Sequence, residues 1–240
     1  MDERARKEFL PHGNLRAGIN LGNAVIAQRD AAGGALRGVG PALARELARR
    51  LGVEVEFTTY ETAGKLADAV TQGAWDVAFL AIDPERAREI DFTGAYVLIE
   101  GTYMVRADSP LRTVDEVDRA GTRVAVGLKT AYDLYLTRSL QHAELVRSES
   151  SKAAIAQFKA ESLDAVAGVR QPLVAVAAAS PKLRVMDDSF MVICQAAAVP
   201  KGRAASRDYL AAMIEECKVD GFVARALADS GVEATVAPAA

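Results

Sequence analysis

Apolar positions along the chain recur with the periods of strands and helices in turn. LRAGIN (15–20) and VEVEFTTY (53–60) read as strands, and PALARELARRLG between them reads as a helix with Leu43, Leu47 and Leu51 on one face and Gly52 as its stop. TAGKLADAVTQG is the next amphipathic helix, and DVAFLA (76–81) is apolar enough throughout to be a strand buried on both faces. This strand-helix order favours a parallel sheet with helices on both sides.

The alternation then breaks. AYVLIEGTYMVRADSP (95–110) is a long extended run with Gly101 inside it. After it come TVDEVDRAG with Thr113 and Glu116 at capping-box spacing, strand RVAVG (123–127), and helix TAYDLYLTRSLQHA with Thr130 and Asp133 in the same relation. Strand ELVRS, helix SKAAIAQFKAE, strand LDAVAG (163–168) and a helix through LVAVAAAS follow. A second extended run, FMVICQAAAVPKG (190–202), leads into two closing helices, the last ending near Gly231. The pattern predicts an α/β fold of two lobes, each a mainly parallel sheet flanked by helices. Its boundaries are 14–98 with 196–240 for the first lobe, 104–190 for the second, 99–103 and 191–195 as hinge crossovers, and 1–13 as a tail.

Open α/β sheets bind ligands outside the carboxyl ends of their strands, and a cleft between lobes is the usual place for a small molecule. Asn20, the segment Ala81 to Arg86, Lys129 with Thr130, and Arg170 all follow strands directly, so the candidate polar groups share that edge. The most pointed stretch is FLAIDPERAREIDFT (79–93). Asp83 is placed to cap a helix, Pro84 to take its first position, and Arg86 to sit in the first turn, where a cation meets the positive end of the helix dipole. An arginine there calls for an anion, and its fork can hold a carboxylate by two parallel hydrogen bonds. The alternative is a surface ion pair with Glu89 or Asp91.

Composition narrows the classes. The 240 residues are half hydrophobic and a quarter charged, with a net charge of -3 and acids and bases interspersed, which argues against a nucleic-acid partner. No apolar run approaches the ~18–20 residues of a membrane span, so no membrane insertion is expected. The opening MDERARKEFLPHGNL has no apolar core of a secretory signal, so the expectation is either a cytoplasmic location or a signal that is not part of this sequence. Cys194 and Cys217 read as unrelated thiols, and no metal spacing, phosphate-cradling glycine loop or Ser-His-Asp arrangement stands out, so no cofactor is expected. Asp68, Asp76, Asp91 and Asp164 read as element-boundary residues, and Trp75 as packing.

LARELARRLGVEVEF, AVTQGAWDVAFLAIDPERAREIDFTGAY, RVAVGLKTAYDLYL and LDAVAG together resemble the family 3 solute-binding proteins, receptors for polar amino acids in bacterial ABC importers. The resemblance covers roughly 14 to 229 and implies a type II periplasmic-binding fold, a periplasmic location and an ABC permease as partner. It also implies that Arg86 grips a ligand α-carboxylate. The departures are as informative. A threonine that holds the ligand's ammonium in the family is Ala81 here, with only backbone groups to offer; the aspartate after the first strand is the neutral Asn20; the second acid near LDAVAG is replaced by Val169 or Arg170; and the stacking aromatic is missing from NLGNAV. Lys129 stands where the family often has glycine or another small residue. An ammonium facing Arg170 would be repelled in a partly desolvated cleft.

The expected ligand is therefore a small organic anion, a dicarboxylate or N-substituted amino acid, bridging the lobes of a monomer. The candidate contacts are Arg86, Phe79, Ala81 and Asn20 in the first lobe, Lys129, Thr130, Ala131, Tyr132 and Arg170 in the second, and Gln195 on the return crossover. Tyr132 is either an aromatic wall or a helix-packing residue, and Arg170 either a ligand contact or a partner of Glu161 or a helix cap. Two other readings stand beside the receptor. One is a metabolite sensor of the same fold with no transporter. The other is a lyase resembling cyclohexadienyl dehydratases, for which Glu100 is the best candidate acid, since His12 lies in the tail and His142 ends a helix remote from the strand edge.

Overall fold

The computed structural model describes residues 2–30 and 33–239. In chain order it runs α1 (Glu3–Phe9), β1 (Leu15–Asn20), a small hairpin of β2 (Gln28–Arg29) and β3 (Leu36–Arg37), α2 (Val39–Leu51), β4 (Val55–Tyr60), α3 (Ala63–Asp68), β5 (Val77–Ala81) and β6 (Ile90–Arg106). It continues β7 (Arg123–Gly127), α4 (Ala131–Ser139), β8 (Glu144–Ser148), α5 (Ser151–Ala160), β9 (Ala165–Val169), α6 (Arg170–Ala178), β10 (Leu183–Val185) and β11 (Met191–Pro200). α7 (Ala204–Val219), α8 (Phe222–Asp229) and β12 (Thr235–Val236) close it. Contacts divide the chain into one unit of 1–98 with 194–240 and another of 99–193.

In the first unit β4, β1 and β5 pair in parallel, and β11 runs antiparallel to β5. β5 is buried along its whole length, and its side chains alternate between two helical layers. Ala78 and Leu80 pack with Leu66, Val70 and Trp75. On the other face Gly40 of α2 approaches Phe79. Leu43, Leu47 and Leu51 are all buried, and Gly52 ends α2 in the left-handed conformation at φ 66°. The segment expected as a tail instead carries α1, whose Phe9 is buried and meets Tyr209 edge-on, with ring centroids 6.1 Å apart.

The second unit pairs β7 in parallel with both β8 and β9, and β6 and β10 complete the sheet in antiparallel fashion. Its core joins Met104, Ala125, Val166 and Leu173 to Phe158 and Ala154 of α5. Gly101 is demanded by packing, because a Cβ there would lie 2.8 Å from Met191 and 3.1 Å from Phe190. The capping box expected at Thr113 does not form. Val114–Val117 is one 3-10 turn without a side-chain cap, because Glu116 turns to the Arg112 N–H at 2.6 Å while Asp188 takes the Val114 N–H at 3.2 Å.

Asp76, at the entrance to β5, is fully buried and tied to two arginines. It accepts from Arg16 Nε at 2.8 Å and Nη2 at 2.9 Å, and from Arg203 Nη1 at 3.0 Å, so it joins β1 to the segment before α7. Removing its charge leaves two partly buried guanidiniums unpaired. Asp76→Asn is expected to lower unfolding stability by about 3 kcal/mol, read as a lower urea midpoint at unchanged slope.

Candidate functional site

The chain leaves β5 through a tight turn. Asp83 Oδ1 accepts the Glu85 N–H at 2.8 Å and the Asp83 carbonyl accepts the Ala87 N–H at 2.9 Å. Only a three-residue 3-10 turn, Arg86–Arg88, fits before β6 begins. The expected helix, with Asp83 as cap and Pro84 in its first position, is therefore replaced by an Asx turn, and no helix dipole bears on Arg86. The turn directs the side chain inward. Arg86 is 6% exposed and its Nη1 donates to the Ala81 carbonyl at 2.9 Å. Burial pushes its pKa down to about 10, although Asp83, Glu85 and Asp68 pull it up. Desolvation thus costs the cation more than these carboxylates return, and the guanidinium remains charged at neutral pH. Asp91, the alternative partner, is taken by Lys201 at 2.8 Å and the Gly202 N–H at 2.9 Å.

Other first-unit candidates gather at the same carboxyl edge. Gln195 is buried opposite Ala81 in the β5–β11 register. Asn20 ends β1, where its Oδ1 accepts the Gly22 N–H at 2.9 Å and shapes the next turn. Phe79 departs from expectation: its ring lies in the core, edge-on to Tyr96 with centroids 6.3 Å apart, because alternation along β5 turns it toward α2.

In the second unit Thr130 caps α4, accepting the Asp133 N–H at 3.1 Å and donating to the Gly127 carbonyl at 2.8 Å. Asp133 returns a bond to the Lys129 N–H at 2.8 Å and receives Arg147 Nε at 2.9 Å. Lys129 is thereby held at φ 56°, a left-handed conformation that favours glycine. Ala131 is buried in the first turn of α4. Tyr132 is buried beside it and meets Ser151 Oγ at 2.7 Å, so this ring packs α4 against the start of α5 and does not form an aromatic wall.

Arg170 opens α6 and spends its donors inside its own unit. Nε pairs with Glu100, Nη1 donates to the Met186 carbonyl at 2.8 Å, and Nη2 donates to the carbonyls of Asp187 at 3.0 Å and Asp188 at 2.9 Å. Thr102 adds a bond to the Asp188 carbonyl at 2.7 Å. The bare cation expected at this position is therefore a staple between β6 and the segment entering β11, with its charge offset by Glu100. Glu161, an alternative partner, faces Arg123 at 3.9 Å instead. His12 and His142 are both exposed, and the His142 N–H is bonded to Asp118 at 2.7 Å.

Two residues at these edges escaped the sequence reading. Ile82 and Leu128 directly follow Ala81 and Gly127 and are 41% and 45% exposed. Each continues an apolar run, and such a residue reads as core until the strand end is known. Arg170→Met removes a guanidinium that serves one carboxylate and three carbonyls. It is expected to cost about 2 kcal/mol of unfolding stability in chemical denaturation and to leave affinity for small carboxylates within about threefold.

Solved structures share this fold along nearly the whole chain. A mutant of ArgBP from T. maritima is 24% identical, with TM-score 0.80, covering 95% of this chain and 100% of that one. A solute receptor for L-cysteine of Neisseria gonorrhoeae is 23% identical, with TM-score 0.80, covering 95% and 92%. The ancestral amino acid-binding protein AncCDT-1, a precursor of cyclohexadienyl dehydratase, is 24% identical, with TM-score 0.77, covering 93% and 98%. At such identities the likeness shows the fold alone, that of the two-lobed α/β binding proteins. No curated protein sequence matches the chain. The family model of bacterial extracellular solute-binding proteins, family 3, matches residues 15–229, and the chain belongs to that family.

Proposed function

We propose that this protein is the solute receptor of an ABC importer, and that its solute is a small carboxylic acid whose amine is absent or substituted. The observation that carries the reading is the buried Arg86, a cation whose desolvation outweighs the pull of nearby carboxylates. A ligand carboxylate brings an opposite charge to close range in a medium of low dielectric, where a charge-assisted bond to a guanidinium is strong. Family membership supports a small-molecule receptor that works with a permease.

The neighbouring receptors named for arginine and L-cysteine take amino acids, whose ammonium needs acceptors. Here Asn20 is neutral and shaped into its own turn, Ala81 has no polar side chain, and Val169 and Arg170 stand at the end of β9 where an acid would serve. Glu100 is engaged by Arg170. That pairing also removes the argument for a second acidic end, since Arg170 has already spent its donors. A carboxylate with a neutral or apolar remainder fits better than a dicarboxylate, and exposed Ile82, directly after β5 in the unit that holds Arg86, suits such a remainder.

The dehydratase-like reading has a structural neighbour in AncCDT-1, but the acid it relies on, Glu100, is committed to an ion pair. A receptor reading asks nothing of that carboxylate.

Calorimetry against ordinary amino acids, N-acetyl and N-methyl amino acids, simple carboxylates and dicarboxylates distinguishes these cases. N-substituted amino acids or simple carboxylates are expected to bind, and ordinary zwitterions to bind at least ~100-fold more weakly, a difference of about 3 kcal/mol. Arg86→Met is expected to weaken the best ligand by a similar factor while the apo protein stays folded. Tight binding of an unmodified amino acid would sink the reading.

A further inference from the structure

We infer that the first unit carries a second binding site, a groove between α2 and α8 that takes an amphipathic organic anion: an apolar body with one carboxylate or phosphate head. The groove encloses about 480 Å³ and is lined by residues of those two helices and of β3 with the turn that follows it. A space of that size suits a small molecule.

The groove exists because its walls are small where the helices face each other. α2 turns Leu43 and Leu47 into the core and α8 does the same with Val223 and Leu227, all buried. Ala42 and Ala226, on the flanking face of each helix, are too short to close the space between them, and Leu36 and Phe222 extend its apolar floor. Close-packed proteins seldom leave such a gap, and an apolar body filling it removes that surface from water.

Charge selects the head group. Four arginines line the groove against two carboxylates, Glu46 and Asp229. Most of this charge is already met nearby: Glu46 receives Arg49 and Arg50 at 2.8 and 2.7 Å, Arg37 pairs with Asp30, and Arg225 reaches the Asp220 carbonyl at 2.8 Å. Arg45 differs. Its Nη2 donates to the Leu36 carbonyl at 2.8 Å and its guanidinium lies 5.2 Å from the centre of the Phe57 ring, which fixes its position, while no carboxylate pairs with it among the described residues. A held cation with open donors beside an apolar floor recognises an anion attached to a hydrophobic body. Such an anion comes either from a free amphiphile or from a lipid surface.

The probes are sodium decanoate below its micelle concentration, decanol as neutral comparator, and sedimentation with phosphatidylglycerol or phosphatidylcholine vesicles. Decanoate is expected to bind in calorimetry and decanol at least tenfold more weakly. Arg45→Gln, which removes the head-group partner, and Ala226→Leu, which fills the floor without changing charge, are each expected to weaken decanoate at least tenfold. Decanoate is itself a carboxylate, so the two substitutions are also made in an Arg86→Met background: there decanoate is still expected to bind, and to lose at least tenfold on Arg45→Gln or Ala226→Leu, which separates this site from the one at Arg86. Co-sedimentation with phosphatidylglycerol that is lost in the same two variants assigns a lipid head group as the source, and decanoate binding without co-sedimentation assigns a free amphiphile. Absence of both, equal binding of decanol, or decanoate affinity indifferent to both substitutions would overturn the proposal.

Discussion

The functional reading depends on one charge kept out of water. Arg86 is buried by a turn of a few residues at the end of β5, tethered to the Ala81 carbonyl, and its pKa is lowered because burial outweighs the surrounding carboxylates. A guanidinium in that position keeps its proton at neutral pH, and an anion brought close to it in so dry a place is attracted strongly. Every feature of the adjoining chain serves that placement: the fully buried β5, the Asx turn at Asp83, and the brief 3-10 turn before β6.

The second unit treats its arginine differently. Arg170 also stands past the carboxyl end of a parallel strand, yet Glu100 and three carbonyls of residues 186–188 absorb its donors. Two arginines in similar topological places thus have opposite meanings, and the difference lies in what the folded chain puts within reach. Arg86 is a buried charge whose desolvation outweighs the pull of the carboxylates near it. Arg170 holds the two segments by which the chain enters and leaves its unit.

Much of the architecture was legible because the relevant forces are local or periodic. Leu43, Leu47 and Leu51 mark one face of α2, the unbroken apolar run 77–81 marks a strand covered on both sides, and Thr130 with Asp133 marks the start of α4 by cap chemistry. The two long extended runs correctly flagged β6 and β11 as the strands that interrupt the alternation. Cap chemistry misled at Thr113 and Asp83, where spacing was right but the available chain was too short or the partner was claimed elsewhere.

The sequence alone determined which residues can be strands, which helices, and that Arg86 would follow a buried strand with no acidic side chain at positions 20, 81 and 169. Those follow from side-chain chemistry and near neighbours. Only the tertiary structure decided that Phe79 belongs to the core, that Tyr132 packs against Ser151, and that Glu100, seventy residues distant, neutralises Arg170. The reason is physical: strand alternation and sheet pairing set which face a side chain takes and which remote carboxylate it meets, and neither is encoded within any single stretch of the chain.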